Sequence, residues 1–147
     1  MALQELVDDF AAAHLCPTVA WGVVTDGELT ESHSPDTVYR IASMTKSFTA
    51  LAILTLRDAG KLGLADPVAK HIPEFAYVTP LTADAPVVTV RHLLTMTAGF
   101  PEDNPWGDRQ LALPAAELRA FLRRGVALSN HAGGAYEYSN LAYALLG

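Results

Sequence analysis

At Ser43 the hydrophobic pattern of this chain changes period, and that change limits what each side can become. Ahead of it, Thr18 to Thr25 is rich in Val and Trp, Asp26-Gly27 is a two-residue turn signal, and Glu28 to Ser32 continues the run. Together these predict a β-hairpin. Behind it, Phe48, Leu51, Ala52, Leu54, Thr55 and Leu56 recur at helical spacing and Gly60 supplies a C-terminal stop, which predicts a helix of about four turns. Strands that give way to a run of helices place the chain in the α/β (α+β) class.

The remaining segments extend that division. Leu3, Leu6, Val7, Phe10 and Ala11 predict an amphipathic opening helix stopped by Pro17, and Val38 to Ile41 adds a short extended piece. Asp66-Pro67 starts a short helix that His71-Ile72-Pro73 ends, and Thr89 caps another over Val90 to Met96, closed by Gly99 and Pro101. Glu102 to Gly107 reads as a loop, and Pro114 to Arg124 as a helix ended by Gly125. Gly133-Gly134 opens a loop into Tyr138-Ser139-Asn140, and an apolar helix follows from Leu141 to Leu146. There is no internal repeat.

A chain of 147 residues, half of them hydrophobic, can bury the core of one domain. A net charge of −6 without a basic stripe argues against nucleic acid or an anionic membrane as partner. Arg123-Arg124, the densest basic spot, is expected to be a solvated helix end. The lone Cys16 has no disulfide partner and is expected to be a buried thiol, and no Cys/His cluster has zinc spacing. A structural metal is therefore not expected. Met1 to Phe10 carries Glu5, Asp8 and Asp9 rather than a basic flank, and the apolar stretch from Ala50 to Leu56 is too short for a bilayer. The expected location is cytoplasmic.

Two short blocks carry chemistry. Ser43 and Lys46, three residues apart at a helix start, project from one face, so the amine reaches the hydroxyl. A serine becomes a useful nucleophile when a base takes its proton, and a lysine serves as that base when burial or positive potential favours the neutral amine. The helix N-terminus supplies such potential, and the Ser43 amide is suited to hold an oxyanion. Tyr138 and Asn140 add a phenol and an amide ahead of a second helix. Each spacing alone recurs by chance in about one chain in ten of this composition; their occurrence together is far less common. Taken alone, Tyr138 also reads as a packed aromatic with a solvated hydroxyl. Trp106 has two readings, as a lining of an acyl or leaving-group pocket and as a loop tryptophan packed on its own domain. His92 and His131 lack a partner at useful spacing, and each reads as a surface or satisfied histidine.

The segments Ile41-Ala42-Ser43-Met44-Thr45-Lys46-Ser47-Phe48-Thr49-Ala50, Leu62-Gly63-Leu64-Ala65-Asp66-Pro67-Val68, Val88 to Gly99 and Tyr136-Glu137-Tyr138-Ser139-Asn140 to Gly147 resemble the serine β-lactamase and penicillin-binding protein superfamily. The resemblance is greatest to its class C-like branch, with the related esterases and D-amino-acid peptidases. It implies that Ser43 attacks a carbonyl and Lys46 is the base for acylation. It also implies that Tyr138 relays the proton to the leaving group and activates water, while Asn140 binds Lys46 and a substrate amide. Ala132-Gly133 stands where many relatives carry Pro-Gly.

The family's third element, Lys or His followed by Thr or Ser and Gly on a strand, has no match here. The expectation is a single incomplete β-lactamase-like domain over 1–147, with helix and hairpin in 1–42 and the helical lobe with both motifs in 43–147. The resemblance implies a serine hydrolase acting on small-molecule esters or amides without metal or organic cofactor, with β-lactams and D-alanyl-D-alanine peptides as alternative substrates. A C-terminal half or second chain would complete it, and an unpaired hairpin edge would favour homo-oligomers. The rival expectation is a non-catalytic remnant serving as a binding or regulatory module of the same fold.

Overall fold

The computed structural model describes residues 3–34, 36–102 and 113–147, and the chain forms two compact units, 1–41 and 42–147. In the first unit, helix α1 (Leu3–Ala13) ends ahead of Pro17, where Leu15 turns left-handed at φ 53°. The amide of Cys16 there donates to the Ala11 carbonyl at 2.9 Å. That turn carries Cys16 beyond the apolar face of the helix. Its thiol is half-exposed rather than buried, contrary to the composition-based expectation.

Strands β1 (Trp21–Thr25) and β2 (Glu28–His33) pair antiparallel, Trp21 opposite His33 and Thr25 opposite Glu28, with an irregularity between Val23 and Val24. Asp26 at φ 51° and Gly27 at φ 84° give the two left-handed residues that a tight hairpin turn of matching twist requires. The Trp21 indole donates to the Gln4 side chain at 3.1 Å, tying the hairpin to α1. Val38 to Ile41 forms no strand.

The second unit opens with a 3-10 turn, Ala42–Met44, that runs into α2 (Thr45–Asp58). There follow α3 (Val68–His71), a second 3-10 turn (Pro73–Tyr77), β3 (Val78–Thr79) and α4 (Val90–Leu94), then α5 (Ala115–Arg123), β4 (Val126–Ala127) and α6 (Asn140–Leu146). Leu93, Phe100 and Leu122 lie at its centre with Val68, Phe75, Leu141 and Ala142. Truncating such a buried leucine to Ala typically costs about 2–5 kcal/mol. Phe75 and Phe100 meet edge to face with centroids 6.2 Å apart.

Polar contacts fasten this core at its rim. Asp66 accepts from the Lys70 ammonium, the Gly63 amide and His71, in that order of effect, and these hold its carboxyl well below the usual carboxylate range. Arg123 donates to Glu74 at 2.6 Å, so this guanidinium is tied to the core rim rather than simply solvated. The parallel pair β3–β4, Val78 opposite Val126 and Thr79 opposite Ala127, joins the segment after the Pro73–Tyr77 turn to the one after α5. Among the described residues no helix is long and apolar enough to cross a membrane.

Candidate active site

The backbone presents Ser43 in an unusual way. Ala42 adopts φ 46°, a left-handed conformation that costs a non-glycine residue about 1–3 kcal/mol, and Ser43 follows it inside the 3-10 turn. The hydroxyl is thereby exposed at the head of α2, while Lys46, one turn further on, is half-buried.

Tyr138 and Asn140 reach the same place through the cap of α6. Ser139 is the N-cap: it is 1% exposed, its backbone is extended (φ −134°, ψ 117°), and its Oγ accepts from the Ala142 amide at 3.1 Å. Alternate side chains of an extended segment emerge on opposite sides. Turning Ser139 inward to satisfy one of the helix's unpaired amides therefore turns Tyr138 and Asn140 the other way, towards Lys46.

The loop ahead of the cap is stitched to the turn after α4. Gly133 N donates to Thr97 O at 2.8 Å and Glu137 N to Met96 O at 2.9 Å, while Gly99 O accepts from Ser129 N at 2.8 Å and Asn130 N at 3.3 Å. Gly99 has φ +89°, and an added Cβ there would overlap the Asn130 carbonyl, so only glycine fits.

These supports bring four side chains together. Ser43 Oγ lies 2.6 Å from Tyr138 OH and 3.2 Å from Lys46 Nζ. Lys46 Nζ also donates to Tyr138 OH and to Asn140 Oδ1, each at 2.7 Å. Three acceptors match the three donors of an ammonium. No carboxylate of the described residues forms an ion pair with Lys46. With Lys46 as the neutral amine, the arrangement can accept a proton from a serine hydroxyl and return one to a group bonded beside it.

The beta-lactamase family model matches residues 3–147. The chain belongs to the beta-lactamase family. Protein flp of Staphylococcus aureus (strain COL) is 40% identical over 116 residues, which cover 78% of this chain and 23% of that protein. Esterase EstB of Burkholderia gladioli is 44% identical over 79 residues, covering 52% of this chain and 19% of the esterase. Among solved structures, a beta-lactamase/D-alanine carboxypeptidase from Yersinia pestis, complexed with citrate, matches with a TM-score of 0.62 and 31% identity, over 80% of this chain and 34% of that one. The fold is thus beta-lactamase-like, and this chain spans about a fifth to a third of the length of these relatives.

Of the sequence-predicted site residues, Ser43, Lys46, Tyr138 and Asn140 come together, and Trp106 lies outside the described residues. Sequence reasoning missed the cap at Ser139, although a serine directly before an apolar helical run is the usual signature of one. His92 is a satisfied structural histidine: its Nδ1 accepts from the Thr89 amide at 3.1 Å in a capping box that starts α4.

Proposed function

We propose that this chain carries the nucleophile, base and proton relay of a serine hydrolase that cleaves esters or amides through an acyl-serine intermediate. The observation that supports this reading is the mutual hydrogen bonding of Ser43 Oγ, Lys46 Nζ and Tyr138 OH, all within 3.2 Å. In acylation, Lys46 in its neutral form takes the Ser43 proton as Oγ bonds to the substrate carbonyl carbon. The carbonyl electrons move to oxygen, where the Ser43 amide is one donor. Collapse of that intermediate breaks the bond to the leaving group, and Tyr138 delivers a proton to it while recovering one from Lys46. Deacylation repeats the sequence with water in place of Oγ. Asn140 keeps Lys46 in place throughout and is proposed to meet a substrate amide.

Small esters and D-aminoacyl amides are the favoured substrates. The esterase and the beta-lactamase/D-alanine carboxypeptidase among the relatives motivate that choice and keep β-lactams as the alternative. Because the relatives are several times longer, a further segment or chain is proposed to supply the second oxyanion donor, a group worth about 100- to 1000-fold in rate. Phe48 and Leu51 on α2, with Met44 in the 3-10 turn just before it, each more than 60% exposed, offer an apolar surface for it.

The test is turnover of p-nitrophenyl esters, D-alanyl p-nitroanilide and a chromogenic β-lactam by the full-length protein and its Ser43→Ala variant. Ester or D-aminoacyl turnover that disappears in the variant is the expected result. Turnover that survives Ser43→Ala contradicts the reading, and inertness towards all three substrates favours a non-catalytic binding module.

A further inference from the structure

Lys46 is surrounded by more than its three hydrogen-bond acceptors. Its Nζ lies 5.7 Å from the centroid of the Tyr143 ring, inside the distance of about 6 Å at which an aromatic face attracts an ammonium. It also lies 4.8 Å from the Tyr138 centroid, but there the 2.7 Å hydrogen bond to the hydroxyl accounts for the approach. Tyr143 stands three residues after Asn140 on α6, so both project from one face of that helix towards α2.

The far end of the same side chain is pinned. Tyr143 OH donates to the Leu94 carbonyl at 3.0 Å, one of the last carbonyls of α4, which has no partner within its own helix. Burial first, and then the neighbouring Tyr136 and Tyr138 phenols, push the Tyr143 hydroxyl above its ordinary value, so it stays a protonated donor. One residue therefore ties α6 to the end of α4 and backs the amine with a ring.

We infer that Tyr143 is a positioning residue for Lys46, its ring stabilising the ammonium that forms when Lys46 takes the Ser43 proton. The inference rests on the reading of Lys46 as the base. Among the described residues, the groups facing Nζ are Ser43 from the 3-10 turn, Tyr138 from the loop, and Asn140 and Tyr143 from α6. With no carboxylate of the described residues in ion-pair reach, the rings and neutral oxygens are what the positive charge meets.

The experiment uses the full-length protein labelled with 13C at the lysine ε-carbon, in which the Lys46 signal is identified by its loss in Lys46→Arg. Its titration midpoint is compared in wild type, Tyr143→Phe, Tyr143→Leu and a variant carrying pentafluorophenylalanine at 143. The last keeps the ring's shape while removing its negative face, and it decides the matter if the leucine variant does not fold. Single-turnover acylation of Ser43 is followed on the same samples.

Removing an interaction that favours the ammonium lowers the midpoint. Tyr143→Phe should leave it in place, while the leucine and fluorinated variants should lower it by about half a unit to one and a half units. The acid limb of acylation should move with it. An unmoved midpoint in the fluorinated variant overturns the inference and leaves Tyr143 a packing residue. A midpoint that moves in a protein that never acylates Ser43 upholds the contact with Lys46 and counts against the hydrolase reading instead.

Discussion

Gly99→Ala should be among the most damaging one-methyl changes in this chain, although Gly99 touches no reacting group. At φ +89° an L-residue bears about 1–2 kcal/mol of backbone strain. The new Cβ would also run into the Asn130 carbonyl, so that segment must retreat. Retreat weakens the bonds that Gly99 O accepts from Ser129 N at 2.8 Å, Asn130 N at 3.3 Å and Ser129 Oγ at 3.2 Å, each worth about 0.5–1.5 kcal/mol. Stiffening the unfolded chain returns about 0.4–1 kcal/mol, which leaves a net loss of roughly 2–4 kcal/mol. Gly60→Ala is the control, because φ is +68° there but nothing lies within 4 Å of the new methyl. Urea denaturation of the full-length protein followed by circular dichroism measures both. Gly99→Ala should lose at least about 1.5 kcal/mol more than Gly60→Ala, and its rate of ester turnover should fall because the loop leading to Tyr138 moves. Equal losses in the two variants would refute the argument that the 129–137 loop is held by close backbone contact at Gly99.

Other perturbations have equally definite outcomes. Lys46→Arg keeps the positive charge but has no usable neutral form, so single-turnover acylation should fall about 100- to 10,000-fold; a nearly unchanged rate would move the base role to Tyr138. Ser139→Ala removes the α6 cap and should cost about 1 kcal/mol in denaturant titration together with a fall in activity, whereas Ser139→Asp should recover most of the stability. Acid should destabilise the fold in two stages. His92 titrates below its ordinary value of about 6.5, chiefly from burial and then from Arg91, so its contribution is complete above that pH and is lost as pH falls through its folded value. Asp66, held low by Lys70, Gly63 and His71, contributes above about pH 4 and loses that contribution further into acid. His92→Gln keeps an acceptor for the Thr89 amide and should erase only the upper stage of a melting-temperature profile.

Much of the fold was legible because local chemistry and tertiary packing agree. Asp26-Gly27 demanded a turn with two left-handed residues and has one, and Pro114 and Gly125 bracket α5 as start and stop signals should. The Ser43 to Lys46 spacing was readable because one helical turn fixes which side chains meet. Other features rest on long-range contact. Strands β3 and β4 are two residues each, too short to show a period, and nothing local at Val78 announces Val126 as its partner. Val38 to Ile41 has strand composition but pairs with no strand among the described residues, so it stays irregular. The left-handed Ala42 and Met96 break residue preference at the two turns that flank the site, where surrounding contacts outweigh a local cost of about 1–3 kcal/mol. The Tyr-x-Asn spacing could be recognised but not explained until Ser139 was seen to turn inward.

The most direct measurement of the central claim is mass spectrometric mapping of the adduct formed when the full-length protein reacts with a fluorophosphonate or an activated ester. The account predicts one adduct, on the peptide containing Ser43, that is absent from Ser43→Ala and strongly slowed in Lys46→Arg. An adduct on Ser47 or Ser139, or labelling that persists without Ser43, would contradict it.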